Sequence, residues 1–339
     1  MKNAKKTFLI AEIAQAHEGS LGIAHSYIDA LSETGVDAIK FQTHIAEAES
    51  SEYEKFRVKF SYEDDTRFDY WKRMEFSEDQ WIGLKTHCDA VGIEFLSSPF
   101  SLAAIDLLER VGVQRYKVGS GEVNNHLMLE YLAKTGKPVL LSSGMSSFKE
   151  LDDSVALLKA FDTPLSIFQC TTSYPTMPDN WGLNVINELK QRYEVPIGYS
   201  DHSGDIFACL FAAARGAELF EFHAVYDKSM FGPDAKSSLT PAEVSKLVKG
   251  LCQYEQSLLN PVDKSSNSQY SVLKGIFEKS LAVNKDLPAG HILKLEDLET
   301  KKPKGKGINA AEFKNILGAR LARPLIKWEF LNRKDLDEK

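Results

Sequence analysis

Residues 115–144 read RYKVGSGEVNNHLMLEYLAKTGKPVLLSSG, and one unit of the chain's plan lies inside them. A short apolar run, RYKVGS (115–120), ends in polar residues. A helical stretch, MLEYLAKTG (128–136), follows and closes on a glycine, and a second run, PVLLSSG (138–144), opens the next unit. An apolar run that gives way to a 3.6-residue period is a strand feeding a helix, and a glycine past the last turn is a common helix stop. Working outward, the same theme recurs as FLIAEIA (8–14), DAIKFQT (37–43), IEFLSSP (93–99), LSIFQCT (165–171), PIGYSDH (196–202) and ELFEFHAV (218–225). With the two runs in the opening stretch there are eight. Eight alternating β and α units in about 250 residues predict an α/β (β/α)₈ TIM barrel, with an open doubly wound sheet as the alternative.

Two stretches break this rhythm. Ile45 to Phe76 is too long for a plain connection and is rich in charge and aromatics (YEKFRVKFSYEDDTRFDYWKRMEF), which predicts a lid-like or helical excursion over one mouth of the barrel. NPVDKSSNSQYS (260–271) is polar and has no hydrophobic period, so a barrel over 1–259 is expected to pass through a linker at 260–275. The tail, 276–339, reads as a small second domain of short strands, turns and single helical turns, with room for only a small core.

Of the 339 residues, 43% are hydrophobic and 26% charged; the formal net charge is −7 and the pI about 5.7. No basic field exists to hold a polyanionic backbone, which argues against nucleic-acid binding. No run approaches the ~20 apolar residues of a membrane span. The start, MKNAKKTFLIAEIAQAHEGS, is basic, but its apolar stretch is interrupted by Glu12 and Gln15, so it reads as a first strand and not as a signal peptide. Cys88, Cys170, Cys209 and Cys252 are widely spaced, without a CxxC pair, and are expected to be buried, inert thiols in a soluble cytoplasmic protein.

In a (β/α)₈ barrel the active site lies where the strands end. Here those ends carry Glu12, Lys40 with Gln42, Ser97 with Ser98, Lys117 with Ser120 and Glu122, Ser142 with Ser143, Thr171 with Thr172 and Tyr174, Ser200 with Asp201 and His202, and Glu221 with His223. Two ammonium groups and several hydroxyls around one cavity suit a phosphate and a carboxylate. The plainer alternative is that both lysines snorkel from the rim. His202 and His223 close consecutive strands, which lie about 4.8 Å apart. They can share a divalent metal or each simply be hydrogen-bonded. Glu122 follows KVGSG and, held between cations, could orient or deprotonate a water; a rim salt bridge is the alternative. His17, His25, His44, His87, His126 and His291 show no partner spacing.

Taken together, AEIAQAHEGS, IKFQTH, SSPF, YKVGSGE, LSSGM, CTTSYPT, GYSDHS, EFHAV and FGPD resemble the sialic acid synthase family, which includes legionaminic and pseudaminic acid synthases. The tail resembles the antifreeze-like domain that ends those enzymes. The resemblance implies a transferase that condenses phosphoenolpyruvate (PEP) with an N-acetylated aminosugar. Lys40 and Lys117, with Ser98, Ser120, Ser142 and Ser200, would bind PEP. His202 and His223 would hold a divalent metal, manganese above magnesium or cobalt, and no organic cofactor is implied. Glu12, Gln42, Glu122, Tyr174 and Asp234 would surround the sugar and the reacting atoms. The resemblance further implies a domain-swapped homodimer whose tail brings Lys302 to the sugar, where the family carries an arginine. Thr172, on the phosphate side, stands where an asparagine is common. Both departures bear on the choice of sugar. The rival readings are another PEP-dependent 3-deoxy-ulosonate synthase and a non-catalytic sugar-binding barrel.

Overall fold

In the computed structural model, which describes residues 7–58 and 60–337, all eight apolar runs become strands. They are β1 (Phe8–Ala14), β2 (Ala38–Thr43), β3 (Glu94–Pro99), β4 (Tyr116–Val118), β5 (Val139–Ser142), β6 (Leu165–Cys170), β7 (Ile197–Asp201) and β8 (Leu219–His223). Each pairs in parallel with its neighbour, and β8 returns to β1 with Leu9 opposite Phe220 and Glu12 opposite His223. That closure excludes the open doubly wound sheet.

The helices start and stop where local chemistry directs. Ser77, Ser147 and Thr240 each cap a helix and form a reciprocal capping box with Gln80, Glu150 and Glu243. The helices Glu78–Val91 and Leu102–Val111 end on Gly92 and Gly112 in the left-handed conformation. Their apolar faces pack on the outside of the barrel in one large core that includes Leu31, Trp81, Leu108, Leu132 and Leu247.

Inside the barrel, the strand period of two sorts the side chains into layers. The bottom layer is apolar: Ile10, Ala38, Leu96, Leu140, Phe168 and Leu219 form their own cluster. A side chain at Gly198 would meet the Phe168 ring at 2.6 Å, so glycine there lets that ring plug the barrel. Two residues further along the same strands stand Glu12, Lys40, Ser98, Ser142, Cys170 and Glu221, with Ser200 two beyond Gly198. The floor of the site is thus the top of the core.

The excursion over 45–76 is helical in part, with helices at Ala46–Glu49 and Arg67–Met74. Tyr70, Trp71 and Met74 are buried with Ala46 and with Phe56, Phe60 and Phe68 in a cluster of their own.

The chain divides into two compact units between Asn260 and Pro261. Within the expected linker, residues 268–270 form a 3₁₀ turn that runs into a helix at Ser271–Phe277. The second unit pairs β9 (Ser280–Val283) with β10 (Leu298–Lys301) in antiparallel fashion. Its core comprises Leu281, Val283, Leu287, Leu293, Ile308, Ile316, Leu321, Leu325 and Leu331. Asp297 is buried beside it and accepts from Lys285 (2.8 Å), His291 (2.7 Å) and the backbone N–H of Lys294 (2.8 Å). So small a core gains order from such fully satisfied polar staples. No helix among the described residues is long and apolar enough to cross a membrane.

Candidate active site

The polar layer encloses a cavity of about 180 Å³ lined by Glu12, Lys40, Ser98, Lys117, Ser120, Ser142, Cys170, Thr172, Ser200 and Glu221, with His202 and His223 above. Both lysines are buried, so the rim-snorkelling alternative fails. The Lys40 ammonium donates to Ser98 Oγ at 3.2 Å, contacts Glu12 closely, and lies 3.8 Å from Glu221 Oε2. The Lys117 ammonium donates to Ser142 Oγ and lies 3.5 Å from Glu221 Oε1. Ser200 donates to that same Glu221 oxygen at 3.1 Å.

Two cations and two carboxylates buried together cannot all titrate normally. Burial raises Glu12 to about 7 against the pull of Lys40, and the Glu221 charge adds to the rise. Burial also opposes ionisation of Glu221, but Lys117 and Lys40 outweigh it and hold that carboxyl below its usual range. Lys117 is lowered, chiefly by burial. For Lys40, burial is outweighed by Glu12 and Glu221, and the ammonium is favoured. Burial thus dominates at Glu12, whereas the two lysines favour the ionised form of Glu221. Glu12 Oε2 is held by Lys40, whereas Glu221 Oε2 is buried without a hydrogen bond, 3.8 Å from the same ammonium.

In the sequence Glu221 stands out only as one strand-end residue among several. The signal was present: it lies two residues before His223 on β8, hence on the same inward face. His44 likewise has no partner spacing in the sequence. It lies between the rings of Trp71 (3.8 Å) and Phe100 (4.6 Å), bonded to Glu49 at 2.6 Å and Gln15 at 2.8 Å. Its partners come from segments distant in sequence or from the excursion, which no local spacing reveals.

His202 and His223 face each other with ring centroids 5.3 Å apart. His202 Nδ1 lies 3.0 Å from the Thr171 carbonyl, which orients the ring and directs Nε2 toward the Tyr174 hydroxyl at 3.2 Å. His223 Nδ1 lies 4.0 Å from Asp234 Oδ2. Burial, then the nearby cationic groups, hold His223 well below its ordinary pKa, so it is a neutral imidazole with a lone pair to offer. For His202, burial is outweighed by the Cys170 thiol and the Thr171 carbonyl, which raise it to about 9; a bound dication would displace that proton. Among the described residues no group of three or more His, Cys, Asp or Glu is placed to hold a metal ion. The two imidazoles alone could supply only part of a coordination shell, leaving the remaining positions to water and substrate.

Beyond the histidines a second cavity, about 400 Å³, is lined by Gln42, His44, Arg57, Trp71, Phe100, Glu122, Tyr174 and Asp234 among others. Gln42, Phe100, Thr172, Tyr174 and His223 belong to both walls, so the cavities adjoin. Gln42 donates to Glu12 at 2.9 Å and links the two layers. Glu122 lines only the outer cavity of this pair and accepts from Asn125 at 2.7 Å, with neither a flanking cation nor a rim salt bridge among the described residues. The picture of a carboxylate clamped between cations thus applies to Glu221, not Glu122. Thr172 is exposed at the mouth. Lys302 belongs to the second unit, its ammonium 5.0 Å from the centroid of the Phe277 ring. Cys88, Cys170 and Cys209 are buried as expected, whereas Cys252 is exposed on the helix Pro241–Leu259. At Cys170 burial opposes ionisation, but His202 and Lys117 outweigh it and draw the thiol below the usual range.

A closed (β/α)₈ barrel with buried lysines under a histidine pair defines a barrel enzyme for anionic substrates. The chain belongs to the NeuB family, which residues 27–263 match, and residues 278–336 match the SAF domain. It is 32% identical over 320 residues to the N,N'-diacetyllegionaminic acid synthase of Campylobacter jejuni, covering 93% of this chain and 95% of that one. To the human N-acetylneuraminate-9-phosphate synthase it is 33% identical over 324 residues, covering 93% and 88%. The solved N-acetylneuraminic acid (sialic acid) synthetase of Leptospira borgpetersenii, a citrate complex, superposes with a TM-score of 0.70 at 30% identity, covering 80% of this chain and 93% of that one. The chain is a synthase of this family.

Proposed function

We propose that the protein condenses PEP with an open-chain, N-acetylated mannose-type aminosugar, giving a sialic or legionaminic acid and phosphate. The observation that carries this reading is the stacking of three layers: an apolar plug, two buried lysines among serines, then two histidines opening on a larger, aromatic-lined cavity. The inner cavity suits the small dianionic substrate and the outer one the sugar.

In this reading Lys40 and Lys117 hold the phosphate and carboxylate of PEP, with directed hydrogen bonds from Ser98, Ser120, Ser142, Ser200 and Thr172. Gln42, Tyr174 and Asp234 orient the sugar so that its aldehyde carbon lies over the PEP methylene carbon. His202 and His223 are the residues that would hold a divalent ion, manganese in our reading, which when bound supplies Lewis-acid polarisation of the aldehyde oxygen. The methylene carbon attacks the aldehyde carbon, one C–C bond forms, and the former aldehyde oxygen takes a proton. Water adds at the electron-poor enol carbon, positioned by Glu122 and losing its proton to Glu12, the group raised to about 7. The C–O bond to phosphorus breaks, and phosphate departs with the bridging oxygen, its charge met by Lys117 and Lys40. We further place the protein in the cytoplasm as a homodimer, with Lys302 from one chain's SAF domain serving the sugar in the other. The four free thiols accord with a reducing compartment.

The test is incubation with PEP, Mn²⁺ and, in turn, N-acetylmannosamine, 2,4-diacetamido-2,4,6-trideoxymannose and its altrose isomer. One phosphate released per nine-carbon acid detected by mass is the expected result. Phosphate release without a condensed product, or no release with any sugar, would refute it.

A further inference from the structure

We propose that Arg57, carried by the excursion over the barrel mouth, is a specificity-determining residue that binds the sugar through an uncharged acceptor, an amide carbonyl or a hydroxyl, and so selects an unphosphorylated aminosugar. The proposal rests on the synthase reading above. The Arg57 guanidinium lies 4.4 Å from the centroid of the Tyr174 ring, over its face, and its Nη2 lies 3.5 Å from Asp234 Oδ1. Tyr174 and Asp234 are the side chains that stand next to His202 and His223. Arg57 is thus one side chain away from each imidazole, on the side of the outer cavity.

Its donors are not spent. At 3.5 Å the ion pair is longer than a direct hydrogen bond, Arg57 donates no hydrogen bond among the described residues, and half of its side chain is open. A guanidinium carries five N–H groups, so a fork fixed over Tyr174 and beside Asp234 keeps donors for a ligand. The charge around it decides which ligand. Glu49, Glu54, Glu122 and Asp234 line the same cavity, and its other guanidinium, Arg67, lies 3.3 Å from Glu54 and 4.2 Å from the centroid of the Trp71 ring. Two guanidiniums among four carboxylates, each already beside one of them, are a poor host for a phosphate dianion, which needs an excess of charged donors. It serves a neutral carbonyl or hydroxyl well. Phe60 and Val58 on the same wall give the sugar's apolar edges a surface.

The experiment compares wild type, Arg57→Ala and Arg57→Lys with saturating PEP and Mn²⁺ on the two mannose-type sugars above and on N-acetylmannosamine 6-phosphate. Arg57→Ala should raise the sugar KM about tenfold or more while the PEP KM stays within about twofold, which also reports an intact barrel. Arg57→Lys should stay close to the alanine variant, and wild type should use the phosphate ester at least about tenfold less well than the free sugars. An unchanged sugar KM, equal changes in both KM values, full recovery by lysine, or preference for the phosphate ester would each overturn the role of Arg57. Absence of turnover by wild type on every sugar would instead refute the synthase reading, and this proposal with it.

Discussion

Lys117 is buried between Glu221 and Ser142, and its worth is measured by what its loss exposes. Lys117→Met removes a charge-assisted contact to PEP, so kcat/KM for PEP should fall on the order of 10²-fold or more. It also leaves Glu221 short of a partner, and breaking a buried ion pair costs about 3–5 kcal/mol. The double substitution Lys117→Met with Glu221→Gln should recover much of that stability in a denaturant titration and none of the activity; recovery of both would show that the lysine has only a structural role. His17 allows a separate test of burial. It accepts from the backbone N–H of Gly19 at 3.1 Å and packs on Phe76, and burial lowers it to about 3. The unfolded chain binds that proton near pH 6.5 and the folded chain does not. The contribution is therefore fully present above about 6.5 and is lost as pH falls toward about 3. His17→Asn should flatten the decline of Tm with falling pH across that window; an unchanged slope would contradict it.

At the scale of elements, the barrel strands were legible because their alternation and polar ends encode both the fold and the direction of the site. The excursion over 45–76 was legible only as an interruption. Its residues do not repeat with a strand or helix period; they cohere by packing Tyr70, Trp71 and Met74 against Phe56 and Phe60, a tertiary arrangement with no local signature. For the same reason Arg57 and His44 carry no local signal, whereas Lys40, Lys117, His202 and His223 stand at strand ends where the pattern points to them. Trp71 ties the excursion to the cavity by stacking on His44 and donating to Glu54 at 3.0 Å. Trp71→Ala should cost about 3–5 kcal/mol locally and raise the sugar KM while leaving the PEP KM within about twofold. Equal effects on both constants would mean that the excursion supports the whole barrel and not the sugar side alone.

On the scale of the whole molecule, the sequence separates a long repeating part from a short compact tail; the structure has two compact units that part between Asn260 and Pro261, each with its own core. What one chain cannot express is assembly. If the SAF domain serves the partner's barrel, sedimentation should show a species of twice the 37.9 kDa chain mass, and Lys302→Ala should raise the sugar KM far more than the PEP KM. A monomer that is fully active would remove the cross-subunit role of Lys302.

The most direct measurement is a crystal structure of the protein soaked with PEP and Mn²⁺. Anomalous scattering from manganese should peak between the imidazoles of His202 and His223, with the phosphate and carboxylate of PEP against Lys40 and Lys117 on the floor beneath. Either ligand seated elsewhere, with that floor still occupied only by its own carboxylates, would contradict the reading at its root.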